Sequence, residues 1–209
     1  MIDRRTALVL LGGFAASGTC APIGARNARP DLYNCEGCEA VFEHAVTTLG
    51  PVCTLAGPTE PGEKLVLSGV VTWPDGVRPA QGVVVYAHQT NAAGLYANGS
   101  RQTAWSRRHG RLRGWAKTGA DGRYTFLTIK PGPYPDRTVP AHIHLFIGEP
   151  GRQPYYIDDV VFDGEFGVTA GYRSGQELRG GSGIVRLKRR PDGTLLAIRN
   201  IILERHPRQ

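Results

Sequence analysis

Asp121-Gly122-Arg123-Tyr124-Thr125-Phe126-Leu127-Thr128-Ile129 is the stretch that decides how the chain reads. An Asp-Gly pair is hairpin-turn chemistry, because both residues tolerate a left-handed backbone. The run behind it is apolar, aromatic and β-branched, the side chains that suit a pleated, half-buried surface. The same signature recurs on both sides. Upstream it covers residues 65–71 and 82–88, and downstream 141–147, 155–162, 183–188 and 194–203. Further Asp-Gly pairs stand at Asp75-Gly76, Asp163-Gly164 and Asp192-Gly193. Short strands joined by such turns predict an all-β fold, an antiparallel β-sandwich with long functional loops and a short N-terminal helical arm. The longest interruption, residues 92–117, has little strand character, and a long loop hung on a rigid sheet is where function is expected.

Composition agrees with this reading. The 209 residues carry 28 glycines and 15 prolines, more punctuation than a helix bundle holds. A hydrophobic share of 41% and a charged share of 21% exclude a disordered chain. No apolar run reaches the roughly 20 residues of a membrane span. The net charge of +7 is mostly arginine, with lysine only at Lys64, Lys117, Lys130 and Lys188. These charges are spread along the chain apart from one knot at Arg107, Arg108, Arg111 and Arg113. That pattern describes a solvated basic surface or a pocket for anionic small molecules, not a nucleic-acid stripe.

The first twenty residues do not read as fold. Arg4-Arg5, an apolar run over 7–16 and the small residues Ser17-Gly18-Thr19 have the layout of an export signal, with cleavage expected within 18–28. The paired arginines point to the twin-arginine route, and Cys20 leaves lipid attachment open. Expected placement is therefore periplasmic or extracellular, where disulfides persist. Residues 21–62 read as an arm with one short helix over 39–47, and 63–209 as the β-sandwich domain. One bridge from Cys53 to Cys35 or Cys38 is expected. A redox Cys-x-x-Cys would need a strand–helix context that residues 30–38 do not show.

The sharpest chemical signal is Ala141-His142-Ile143-His144. Alternate residues of a strand share a face, so both imidazoles point the same way and can converge on one metal ion. Just upstream, Lys130-Pro131-Gly132-Pro133-Tyr134-Pro135 pins one tyrosine between prolines, a rigid placement that favours ligation. Two imidazoles with phenolate oxygen form a hard, anionic donor set suited to Fe(III).

With these motifs in order, the sequence resembles the intradiol ring-cleaving dioxygenases, the family that includes protocatechuate and catechol dioxygenases. The resemblance covers about residues 65–165. It is carried by Asp121 to Phe126, Thr128 to Pro135, Pro140 to His144 and the segment His88-Gln89-Thr90-Asn91-Ala92-Ala93-Gly94-Leu95-Tyr96. It implies a non-haem Fe(III) held by Tyr96, Tyr134, His142 and His144. It also implies a small aromatic diol and O2 as substrates, with Tyr134 as the ligand that yields during the reaction. Tyr86 and Tyr124 sit inside strand patterns and are expected in the core. The family's arginine three residues before the first histidine is absent, since that position is Val139. Arg137 is the expected replacement, with the 107–113 knot as the second choice. Asp136 stands where some members carry an aromatic. A homo-oligomer is left open. The competing reading is a transthyretin-like exported β-sandwich that binds without catalysis, or an iron-binding relative of weak activity.

Overall fold

The computed structural model describes residues 27–100 and 102–207. The segment read as an export signal, together with Cys20, lies outside the described residues. Among the described residues no helix is long and apolar enough to cross a membrane.

Two sheets pack face to face. The first joins β1 (Val52–Thr54), β5 (Arg123–Ile129), β2 (Lys64–Thr72), β10 (Leu195–Ile198) and β9 (Lys188–Arg189) in that order, and β11 (Ile201–Ile202) also pairs with β2. The second runs β4 (Arg113–Lys117), β3 (Val84–Gln89), β6 (His142–Gly148), β7 (Tyr155–Phe162) and β8 (Ile184–Val185). Antiparallel pairs join the long strands β2–β5, β3–β6 and β6–β7, while short β1, β8, β10 and β11 add in parallel. The opening stretch forms β5, and Gly122 takes φ 70 in the turn before it. A side chain there would strike the carbonyl of Val71, so the Asp-Gly turn is a steric requirement as well as a preference.

The core between the sheets takes Leu65, Leu67, Tyr124 and Phe126 from one side and Val85, Ala87, Ile143 and Leu145 from the other. The outer face of the second sheet is not bare. Cys38, Ala40 and Val41 of the arm cover Val84, Tyr86, Trp115 and Phe146 there, making a second apolar cluster.

Three local expectations are corrected. The arm holds two 3₁₀ turns, Cys38–Phe42 and Val46–Thr48, instead of one helix over 39–47. The 92–117 excursion contains helix α1 (Ala104–His109) and strand β4, whose Gly114 and terminal charges hid its pairing with β3. The bridge joins Cys35 to Cys38, and Cys53 is a free thiol. The reason is the second sheet itself. Cys53 packs with the inter-sheet core, its sulfur against Gly114, whereas Cys35 and Cys38 lie with the cluster on the opposite face.

Candidate metal centre

Strand β6 sends Ile143, Leu145 and Ile147 inward and turns His142, His144 and Phe146 to the outer face. Two loops bring tyrosines to that face. One follows β3 and carries Tyr96, and the other follows β5 and carries Tyr134. One backbone and one side-chain hydrogen bond lock them together. Gly132 N donates to Asn91 O at 3.0 Å, and Thr90 Oγ1 donates to Gly132 O at 2.8 Å. The Asn91 side chain accepts from the amides of Ala93 and Leu95, closing the first loop on itself. A Cβ on Gly94 would fall 1.9 Å from Pro133 O, and one on Gly132 would fall 2.4 Å from Ala92 O. Only glycine at both positions lets the loops approach this closely.

The four donor atoms form a closed ring. Tyr96 Oη lies 3.0 Å from Tyr134 Oη, which lies 3.3 Å from His142 Nε2. His142 Nε2 is 3.1 Å from His144 Nε2, which returns to Tyr96 Oη at 3.0 Å. Each imidazole is oriented from behind. His142 Nδ1 bonds Pro140 O at 2.7 Å, and a carbonyl only accepts, so the proton sits on Nδ1. His144 Nδ1 faces the Asp159 carboxylate at 2.9 Å and carries its proton by the same logic. Both Nε2 atoms therefore present lone pairs to each other, a contact that no hydrogen bond between them relieves. Edges of about 3 Å suit donors that share one cation at about 2.0–2.2 Å from each. The donor set fits an iron ion. Asp159 also lies within reach of both imidazoles, but it engages the far nitrogen of His144 and orients it instead.

Asp159 reaches His144 through a β-bulge. Ile143 pairs with Val160 and Leu145 with Ile157, so Asp158 and Asp159 together oppose the single residue His144. Asp158 turns away and accepts from the amides of Leu178 and Arg179. Behind the ring, His88 of β3 pairs in register with His144, and its ring lies between His144 at 4.4 Å and His109 at 4.0 Å. Burial holds the His88 imidazole well below its ordinary pKa and that of His109 at about 4, so both are neutral near pH 7. Burial also raises the Tyr96 phenol far above its usual range, and the Tyr134 hydroxyl adds to the rise. Only a strong adjacent cation makes it a phenolate at neutral pH.

A cavity of about 540 Å³ opens on the ring, lined among others by Tyr96, Tyr134, His144, His109, Tyr156 and Arg108. Arg137 does not line it. That residue has φ 51, and its guanidinium lies 4.3 Å over the Phe166 ring. Tyr124 is fully buried between the sheets and donates to Arg199 O at 2.7 Å, and Tyr86 is buried under the arm. Sequence reasoning missed Asp159, His88, His109 and Glu36 of the cavity wall. Two consecutive aspartates inside the apolar 155–162 run were the available signal for the bulge.

The two-sheet sandwich thus brings Tyr96, Tyr134 and His144 to the wall of one cavity, with His142 beside them. A family model described as Dioxygenase matches residues 40–170, and the chain belongs to that family, the intradiol ring-cleaving dioxygenases. Catechol 1,2-dioxygenase 1 of Acinetobacter lwoffii is 36% identical over 102 residues, 48% of this chain and 32% of the relative. The protocatechuate 3,4-dioxygenase beta chain of Burkholderia cepacia is 39% identical over 90 residues, 40% of this chain and 38% of the relative. The chain thus spans about a third of the length of each. Among solved structures, the dioxygenase domain of a dioxygenase–carbohydrate-binding fusion from Streptomyces sp. SirexAA-E matches with TM-score 0.56 and 26% identity, over 75% of this chain and 89% of that one. Catechol 1,2-dioxygenase from Pseudomonas arvilla matches in fold, with TM-score 0.53 and 22% identity over 74% of this chain and 56% of that one.

Proposed function

We propose that the protein cleaves a catechol-type ring between its two hydroxylated carbons with O2, both oxygen atoms entering a muconate-type diacid. The observation that carries this reading is the closed ring of Tyr96, Tyr134, His142 and His144 donors beside a cavity that admits an aromatic ring. Non-haem Fe(III) held by these four residues would supply the Lewis acidity that binds the diol as a dianion and draws electron density from its ring.

The chain's own groups do the rest. A diol must shed two protons to bind as a dianion, and Tyr134 Oη on the cavity wall is placed to accept one of them, the other passing to solvent through the cavity mouth. Pro140 O and the Asp159 carboxylate keep the imidazole lone pairs aimed at the ion while this happens. An electron-rich ring attacked by oxygen needs a nearby positive charge, worth several kcal/mol in a site of low polarity. We assign that charge to Arg108, the arginine that lines the cavity, in place of Arg137.

The test is direct. Protein loaded with Fe(III) should be reddish from tyrosinate absorption, consume O2 with catechol and yield the ring-opened diacid. Tyr134→Phe should weaken the visible band and leave the part that Tyr96 contributes. A colourless protein that takes up no iron and consumes no O2 with catechol would sink the proposal.

A further inference from the structure

One wall of the cavity is a covalent loop. The Cys35–Cys38 disulfide, with Cα atoms 5.9 Å apart, closes a four-residue ring of chain whose two inner residues both touch the site. Glu36 lines the cavity and pairs through Oε1 with Nη2 of Arg108. Gly37, at φ 87, lies so close to the wall that a Cβ would be 3.1 Å from His109 Nε2 and 3.6 Å from the Trp105 ring. The sulfurs are placed unequally. Cys38 is buried in the cluster that includes Phe146, itself a cavity residue, while Cys35 is only half-buried. The Arg108 and Glu36 side chains are 53% and 81% exposed, and an ion pair that exposed holds little by itself. The closed loop fixes the short stretch of backbone that carries Glu36.

We propose that this loop is a thiol-sensitive clamp on Arg108. Closed, it seats Glu36 on the guanidinium and screens it from anionic ring substituents. Opened by a dithiol reductant, it lets Glu36 leave, and Arg108 binds an anionic phenol in its place. In the opening step a reductant thiolate attacks Sγ of Cys35, the less buried of the two cysteines, and Cys38 departs as the thiol. The reductant's second thiol then displaces Cys35. Its two thiols become a disulfide, and two electrons and two protons pass to Cys35 and Cys38. The clamp rests on the reading of the cavity as the diol's seat, but its test needs no turnover.

Binding of 4-hydroxybenzoate to the metal-free full chain, measured by calorimetry with phenol as the neutral control, reads the state of Arg108. Reduction with dithiothreitol and the Glu36→Gln variant should each tighten 4-hydroxybenzoate by about 5- to 10-fold, the size of a modest coupling between two sites. Phenol should not change, and adding Arg108→Gln should cancel the gain. Near-UV circular dichroism checks that the reduced protein stays folded, and if it does not, Cys35→Ser, whose loop is open without reductant, decides. Equal binding in the oxidised protein and in a folded open-loop form, reduced or Cys35→Ser, would overturn the clamp, as would equal binding in Glu36→Gln or a gain that survives Arg108→Gln. Iron uptake and colour would stand or fall separately.

Discussion

The two faces of strand β6 are built from the same seven residues and obey different rules. Inward, Ile143, Leu145 and Ile147 are fully buried against Val85, Ala87, Ile157 and Val160, and nothing about them depends on a single directed contact. Outward, His142 and His144 have each ring nitrogen committed, one to an orienting oxygen and one to the donor ring. The inner face is sensitive to volume and indifferent to which atom supplies it. The outer face is sensitive to which atom stands where and has an open cavity beside it.

Substitutions can break this comparison in order of expected effect. Leu145→Ala should cost about 2–5 kcal/mol of stability, because it opens a cavity in the inter-sheet core. Urea unfolding would measure it, and the folded fraction should still take up iron. The neighbouring His144→Ala should do the reverse, abolishing iron uptake with a far smaller fall in stability. If both variants lose the same property, the two faces are not separable. Asp159→Asn keeps shape but weakens the hold on His144, and a partner of this kind is worth about 10- to 100-fold in metal affinity. Competition with a chelator would show it, and unchanged affinity would mean the bulge serves only the Asp158 contacts.

A gentler probe is acidity. His109 is held near 4 chiefly by burial, then by Arg113, His144 and Arg108, with Glu43 opposing. Its unfolded value is about 6.5, so between these limits the unfolded chain binds the proton that the folded one refuses. Stability from neutral His109 is full above about pH 6.5 and is lost as pH falls towards 4. His109→Gln should therefore flatten the acid limb of a urea-midpoint profile across that window. A slope equal to the parent's would assign the limb to other groups. The smallest effect belongs to Arg137→Ala, which removes an exposed ring contact worth about 0.5–1 kcal/mol. Thermal unfolding and catechol turnover should both stay close to the parent, and a collapse of turnover would return the catalytic charge to Arg137.

The inner face was the legible one. Strand patterns with Asp-Gly turns report burial and punctuation, and β5 and β7 stand at the boundaries those patterns predict. The His-x-His alternation and the proline-pinned tyrosine were legible too, because each is a local pattern with one physical meaning. What escaped was set by pairing across distance. Asp159 reaches His144 only because two residues of β7 oppose one of β6, a count that exists only once the strands meet. His88 acquires its role by register, and Glu36 by a disulfide whose partner choice depends on which side of a sheet each cysteine lies. The short parallel strands carry too few residues for any period to show.

The close approach of Gly94 to Pro133 and of Gly132 to Ala92 has a consequence for anyone redesigning this site. The two tyrosine loops are not independent parts. Inserting or shortening either one displaces the phenol carried by the other, so swapping a single loop from a relative would import half of a mated surface. Libraries that treat residues 90–96 and 131–134 as one cassette, exchanged together, should retain metal-binding members. Those that vary one loop alone spend most of their diversity on proteins whose tyrosines no longer meet.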